Sequence, residues 1–384
     1  MSETRWSEAI ERMLVRIDDT AARVSKDFPH WADPDTGEWT TTPHGDWTGG
    51  FWIGMLWLAA TATGDTRYRA WAEPWAERLR ARIDAQTVFK AFPAYYGAAL
   101  GAILHGAPAA RDIAVQTALS FTKLYAPALR LVPLGAQAEE GAHIGATETS
   151  IDSLQAATLL FWAAGATGDT ALQEIAEHHA ETIIDLHLRE DGSFIQSSSL
   201  DSRTGKLVRH YTHKGYSDTS TWGRAQAWGT IFATMCFAAD RRRETWRAAA
   251  MRGADWWLSH APADRVAFWD FDDPAIPHTE RDTAATAIAT AALLKLSRVA
   301  PTDADRTRYR EGAEATARAL VERYLTPTRP GDRRVPGILT EACFNKRADA
   351  RPQDAANRCE FIVGSYYLFE SLLGLAGRLD PLQV

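Results

Sequence analysis

The residues of this chain that could do chemistry gather where polar turns hand over to apolar helices. Residues 211–240 read YTHKGYSDTSTWGRAQAWGTIFATMCFAAD, a hydroxyl- and aromatic-rich turn followed by an almost uninterrupted apolar helix. Thr219, Ser220 and Thr221 are N-cap candidates there. Trp222, Arg224, Gln226 and Trp228 crowd the first helical turns, where backbone N–H groups and the positive end of the helix dipole offer donors to an oxygen-rich ligand. Other acids stand at similar helix mouths: Asp46, Glu148, Asp152, Asp218, Asp270, Asp272, Asp273 and Asp282. Carboxylates in such places suit general acid–base work on a glycosidic or enol ether bond, which needs a positioned proton donor of raised pKa. Asp152 is the foremost candidate, because it is an acid embedded in an apolar helix start, IDSLQAATLLFWAA. A plain helix cap is the competing reading of Asp152. Asp218 and Asp282 read as caps or arginine partners.

Other chemistries lose their usual support. His44, His143, His210, His213 and His278 fall in the same loops but show no HxxxH or HxH spacing, so no metal site is expected. Signatures for a nucleophile elbow, a phosphate-binding loop or a dinucleotide fold are absent. A net charge of −7 argues against nucleic acid or an acidic membrane as partner, and Arg241-Arg242-Arg243, the one dense basic run, reads as a helix end. Three cysteines, Cys236, Cys343 and Cys359, are an odd number at unrelated spacings, which suggests neither a disulfide framework nor a zinc site. The first residues are charged and periodic without an apolar core segment, so a cytoplasmic location is expected. Fifteen tryptophans are many for 384 residues; they fit sugar-stacking walls or the core of a large helical protein.

The elements that would position these residues are helical and repetitive. Residues 5–28 carry apolar positions at helical spacing, and 29–50 read as a loop. A buried helix, a short turn and an amphipathic helix follow. The same plan returns about 100 residues later, and the pentapeptide ATGDT stands at 62–66 and again at 166–170, each copy between a Trp-containing apolar helix and a charged one. Units of polar loop, inner helix and outer helix begin near residues 46, 93, 150, 220, 282 and 362. Six even starts predict an all-α fold, an (α/α)6 barrel of six helical hairpins forming a single domain over 1–384. A helical solenoid is disfavoured because no polar cap is visible. Strand signals are confined to GSFIQSS and KLVRHYTH, one small hairpin.

Several collinear segments together resemble glycoside hydrolase family 88, the unsaturated glucuronyl hydrolases: DWTGGFWIGMLWLA at 46–59, IDSLQAATLLFWAA at 151–164, DGSF at 191–194, THKGYSDTSTWGRAQAW at 212–228, FWDFDDP at 268–274 with RDTAATAIA at 281–289, and GILTEACFNK with IVGSYYLFESLL near the C-terminus. They span nearly the whole chain. The resemblance implies an (α/α)6 barrel, no metal or other cofactor, and a small oligosaccharide as the partner. The implied reaction removes a 4,5-unsaturated uronic acid from the non-reducing end of lyase products, with an aspartate that protonates C4=C5 and activates water for C5. Asp152 matches that aspartate, and Trp47, Arg224 and Trp228 match substrate-contacting positions.

The departures fall on the same pocket. The family's second aspartate belongs to a His-Asp-x-Gly-Phe segment, where this chain has AFPAYYGAA at 91–99 without a carboxylate. Gln196 and Lys214 replace a histidine and a glutamine, and Glu360 and Ser365 stand where the family has a serine and an aspartate. Gln196, Lys214 and Glu360 are therefore expected to face the substrate. A glutamate facing a uronate carboxylate is repulsive by on the order of a kcal/mol in a partly dry pocket unless a cation such as Lys214 offsets it. Two alternatives follow: the scaffold redirected to a different unsaturated or modified sugar, and a glycan-binding relative without turnover.

Overall fold

The computed structural model describes residues 2–139, 148–201, 203–347, 350 and 355–384, and the side chains from Trp6 onward. His143 lies outside the described residues. The helices in chain order are α1 (Ser2–Arg23), α2 (Gly49–Thr63), α3 (Thr66–Arg78), α4 (Leu100–His105), α5 (Pro108–Ser120), α6 (Gln155–Thr167), α7 (Thr170–His187), α8 (Gly223–Ala239), α9 (Glu244–His260), α10 (Thr283–Val299), α11 (Asp303–Arg323) and α12 (Ile362–Leu375). A π-helical turn, Pro93–Ala99, leads into α4 and makes one continuous inner element with it.

The sequence separates the two layers. Every residue of α2 from Gly49 to Ala60 is buried, and α8, α10 and α12 are buried on almost every face, so they form an inner layer. Helices α3, α7, α9 and α11 bury single stripes, as outer helices do. The inner elements touch in sequence, α2 to the π turn, the π turn to α6, α6 to α8, α8 to α10, α10 to α12, and α12 back to α2. That closure makes an α/α barrel. Five hairpins follow the expected plan. The sixth departs from it: α12 takes as its outer neighbour α1 from the start of the chain, whose stripe Trp6, Ile10, Met13 and Ile17 is buried.

The repeated pentapeptide has a physical meaning. Gly64 and Gly168 end α2 and α6 in the left-handed region at φ 71° and 76°, which glycine adopts without a Cβ penalty. Asp65 and Asp169 then cap α3 and α7, accepting the N–H of Arg67 at 2.9 Å and of Ala171 at 2.9 Å. ATGDT is a helix stop and a helix start fused into one inner-to-outer corner.

Strands collect at the end where the inner helices begin. The expected hairpin is present as β4 (Ser197–Leu200) and β5 (Leu207–Tyr211), joined by β3 (Glu148–Ser150) in the order β3-β4-β5. A second sheet, β2-β1-β6, occupies part of the segment read as loop: β1 (Phe28–Ala32) pairs with β2 (Trp39–Thr42) and with β6 (Glu360–Phe361). Pro29 and an irregular register hide β1 locally, and its second partner lies over 300 residues away. Among the described residues no helix is long and apolar enough to cross a membrane.

Candidate active site

A cavity opens among the N-terminal ends of the inner helices, lined by Trp47, Phe89, Phe92, Glu139, Asp152, Gln196, His213, Lys214, Trp222, Arg224 and Trp228. Its empty volume is about 410 Å³, the open mouth included. Six of the seven expected site residues meet there: Asp152, Trp47, Gln196, Lys214, Arg224 and Trp228.

Asp152 is placed by its backbone. Strand β3 delivers the chain to a 3-10 turn, Ile151–Leu154, that opens α6. The Ile151 N–H donates to the Gln196 carbonyl at 2.9 Å, and the Ser153 hydroxyl donates to the Ser150 carbonyl at 2.6 Å. Behind the turn His179 is buried, with its proton affinity pushed down to about 4. The neutral ring accepts from the Val132 N–H at 3.1 Å through Nδ1, which leaves Nε2 to donate to the Ser153 carbonyl at 2.8 Å. The Asp152 side chain does not cap the helix, and among the described residues its Oδ1 has no hydrogen-bond partner. Only 9% of the residue is exposed. Burial pushes its pKa up to about 6, against the Ser150 hydroxyl, the charges of Lys214 and Arg224, and the Gln196 amide, which all favour the anion. A carboxyl tuned in this way keeps its proton up to about pH 6, well above the ordinary carboxylate range, and can give it away.

Around this acid the walls are aromatic and cationic. Trp228 stacks on Phe232, with centroids 5.2 Å apart and planes 4° from parallel, and meets Phe92 edge-on. Trp47 packs edge-to-face on Phe51, Phe92 and Phe361. Gln196 is fixed by accepting the backbone N–H groups of His213 at 3.2 Å and Lys214 at 3.0 Å. The Lys214 ammonium lies 4.2 Å from the centroid of the Phe344 ring. Arg224 is 1% exposed and immobilised: it pairs with Asp282 at 2.6 Å, donates to the Cys343 carbonyl at 2.5 Å and the Phe344 carbonyl, and lies against the Trp222 ring at 4.5 Å. Asp282 in turn caps α10. The guanidinium therefore meets the cavity as a fixed charge.

Glu360 is a correction. It is fully buried and absent from the cavity wall: Arg16 Nη2 and Nε donate to its Oε2 at 2.6 and 2.9 Å, and the Ser365 hydroxyl donates to its Oε1 at 3.0 Å. The glutamate ties α1 to α12, so the repulsion expected between it and a uronate carboxylate falls away. A second correction concerns the start of α8. Its N-cap is Trp222, without a side-chain cap, because Ser220 donates to Asp270 at 2.7 Å and Arg189 donates to Thr221 at 3.2 Å. Asp270, Asp272 and Asp273 stitch the neighbouring loops: they accept from the Tyr216, Thr221 and Ala275 N–H groups at 2.8, 2.7 and 2.9 Å. Asp218 is exposed.

Sequence reasoning missed Phe89, Phe92 and Glu139. Phe92 lies within the segment where a carboxylate was expected and Phe89 just before it, and Glu139 reaches the cavity from a loop without a motif. His213, read as a hydrogen-bonding side chain, both lines the cavity and shares a 2.7 Å hydrogen bond with the Ser197 hydroxyl. Among the described residues no group of three or more His, Cys, Asp or Glu could hold a metal ion.

Comparison with other proteins agrees with this geometry. No family model matches the chain. It is 30% identical over 382 residues to the unsaturated glucuronyl hydrolase of Bacillus sp. (strain GL1), covering 96% of both chains. It is 26% identical over 394 residues to the unsaturated chondroitin disaccharide hydrolase of Streptococcus pyogenes serotype M1, covering 99% of this chain and 94% of that one. The crystal structure of the Bacillus sp. GL1 unsaturated glucuronyl hydrolase superimposes with a TM-score of 0.87 at 28% identity, over 96% of each chain. With that identity over nearly its whole length, the chain belongs to the unsaturated glucuronyl hydrolases, a family of glycoside hydrolases.

Proposed function

We propose that this hydrolase takes a 4,5-unsaturated uronic acid from the non-reducing end of lyase-generated oligosaccharides, with Asp152 as its acid. The observation that carries the reading is the Asp152 carboxyl itself: buried, raised in pKa to about 6, with one oxygen unpartnered among the described residues, on a cavity of aromatic and cationic walls. The Asp152 proton goes to C4, and the C4=C5 electron pair becomes the new C4–H bond. The cation left at C5 is shared with the ring oxygen, and water adds there while the Asp152 carboxylate takes up the released proton. The product is a hemiketal at C5. It opens to a ketone, C1 becomes a hemiacetal carbon, and its collapse to the aldehyde frees the remaining sugar.

The other residues have parts in this scheme. Trp47 and Trp228 give apolar faces to the planar part of the ring, and Lys214 with Arg224 supplies positive charge for the uronate carboxylate. Gln196 orders the 213–214 backbone that carries Lys214. The three cysteines are free thiols, in keeping with a reducing compartment such as the cytoplasm. The test is decay of the ultraviolet absorbance of the C4=C5 enol ether with lyase-generated unsaturated disaccharides. Wild type consumes the chromophore, and Asp152→Asn, removing the proton donor, slows it by about 10²- to 10⁴-fold. Undiminished turnover by Asp152→Asn refutes the assignment.

A further inference from the structure

The cavity holds a second carboxylate for which the proton transfer has no use. Glu139 stands on the same wall as Phe89 and Phe92. Among the described residues its Oε1 accepts from Arg82 Nη2, its Oε2 receives a long contact, 3.4 Å, from the Thr87 hydroxyl, and its own backbone N–H also hydrogen-bonds the carboxylate. A carboxylate has about four lone-pair directions, so these contacts leave acceptor capacity.

The loop carrying Glu139 is firmly built. Leu134 donates to the Glu148 carbonyl at 3.0 Å and accepts from the Val88 N–H at 2.9 Å, while Gln137 donates to the Gln86 carbonyl at 2.9 Å. Gly135 has φ +90°, and a Cβ there would lie 2.3 Å from the Gln86 carbonyl oxygen, so the close approach of 134–139 to 86–88 requires glycine. Thr87 also caps the short turn Val88–Lys90 by accepting the Phe89 N–H at 3.1 Å. One knot of backbone thus sets both Phe89 and Glu139 on the cavity.

The remaining polar wall explains what Glu139 is for. Gln196 Oε1 is engaged by two backbone N–H groups, the His213 ring nitrogens are engaged by the Ser197 hydroxyl and the Gln196 amide, Arg224 offers only donors, Lys214 offers a cation, and Asp152 is the reacting acid. A sugar ring also needs acceptors for its hydroxyl protons, and a 4,5-unsaturated uronate keeps hydroxyls at C2 and C3. We propose that Glu139, oriented by Arg82, is the substrate-binding carboxylate that accepts hydrogen bonds from these ring hydroxyls and fixes the ring relative to Asp152. This inference rests on the unsaturated-uronate reading of the site. Burial raises the proton affinity of Glu139 above the ordinary carboxylate range, and the Arg82 guanidinium and the residue's own backbone N–H oppose that rise.

The test uses titration calorimetry of an unsaturated disaccharide on the Asp152→Asn protein, where the ligand survives, beside Asp152→Asn combined with Glu139→Gln. A charge-assisted hydrogen bond replaced by a neutral amide weakens binding about tenfold to a hundredfold. At least a tenfold loss is expected, together with loss of discrimination: a 3-deoxy or 2-deoxy analogue binds Asp152→Asn more weakly than the parent sugar, yet binds the double variant no more weakly than the parent does. A general disturbance of the cavity would not remove sensitivity to the ring hydroxyls. If circular dichroism finds the Glu139→Gln protein unfolded, Glu139→Asp, which keeps the charge facing Arg82, decides by the same two criteria. A loss below tenfold, or unchanged discrimination, in a folded variant overturns the proposal while leaving turnover by wild type intact. Failure of wild type to consume any unsaturated disaccharide overturns the reading beneath it instead.

Discussion

Asp152→Asn should stabilise the protein, and increasingly so as the pH rises. The Asp152 carboxyl has a pKa of about 6 in the folded chain, against an ordinary value of 3.8. Below 3.8 the group is protonated in both folded and unfolded states and costs the fold nothing. Between 3.8 and about 6 the unfolded chain releases the proton first, so stability is lost as pH rises through this window and stays lost above it. At 1.36 kcal/mol for each unit of difference, the penalty is about 1 kcal/mol at pH 4.5 and about 3 kcal/mol at pH 8. Asparagine is neutral at every pH and nearly isosteric with the protonated acid, so the variant escapes the penalty.

The assay is urea unfolding of both proteins at pH 4.5, 6 and 8, read as midpoint at constant slope. The advantage of the variant should grow by about 2 kcal/mol between the extremes, while the same substitution removes turnover. An advantage that stays flat with pH, or a variant less stable than wild type at pH 8, would refute the argument. Asp152 would then be an ordinary ionised carboxylate in the free protein, without a proton to give.

Two further outcomes follow from the geometry. If protonated Asp152 starts the reaction, kcat/KM for an unsaturated disaccharide should be level below about pH 6 and fall about tenfold per unit above it; a pH profile rising through that range contradicts the proton-donor role. Arg16→Met leaves Glu360 buried without its cation, so the urea midpoint should drop by the equivalent of about 3–5 kcal/mol with KM unchanged, whereas a large change in KM would mean that Glu360 does reach the sugar.

What the sequence revealed, and what it hid, follows the range of the interactions involved. The ATGDT corners were legible because a left-handed glycine and a capping aspartate act within a few residues, and two copies at matching positions expose the repeat. Asp152 stood out because an acid in an apolar helix start is a local anomaly, and its burial is what raises its pKa. Glu360 looked like a wall residue because it stands where the resembled family has a serine close to the substrate, but Arg16, 344 residues earlier, captures it. That capture exists only because α1 closes the outer ring beside α12, a fact of topology that no window around Glu360 contains. Glu139 is the converse case. Its neighbours in sequence give no periodicity, and it reaches the cavity through hydrogen bonds from 134–137 to 86–88 and 148. Local spacing shows where a carboxylate is useful. Whether it faces the substrate or an arginine across the fold depends on contacts made only when the ring closes, so the sixth hairpin and the second carboxylate were the parts left for the structure to reveal.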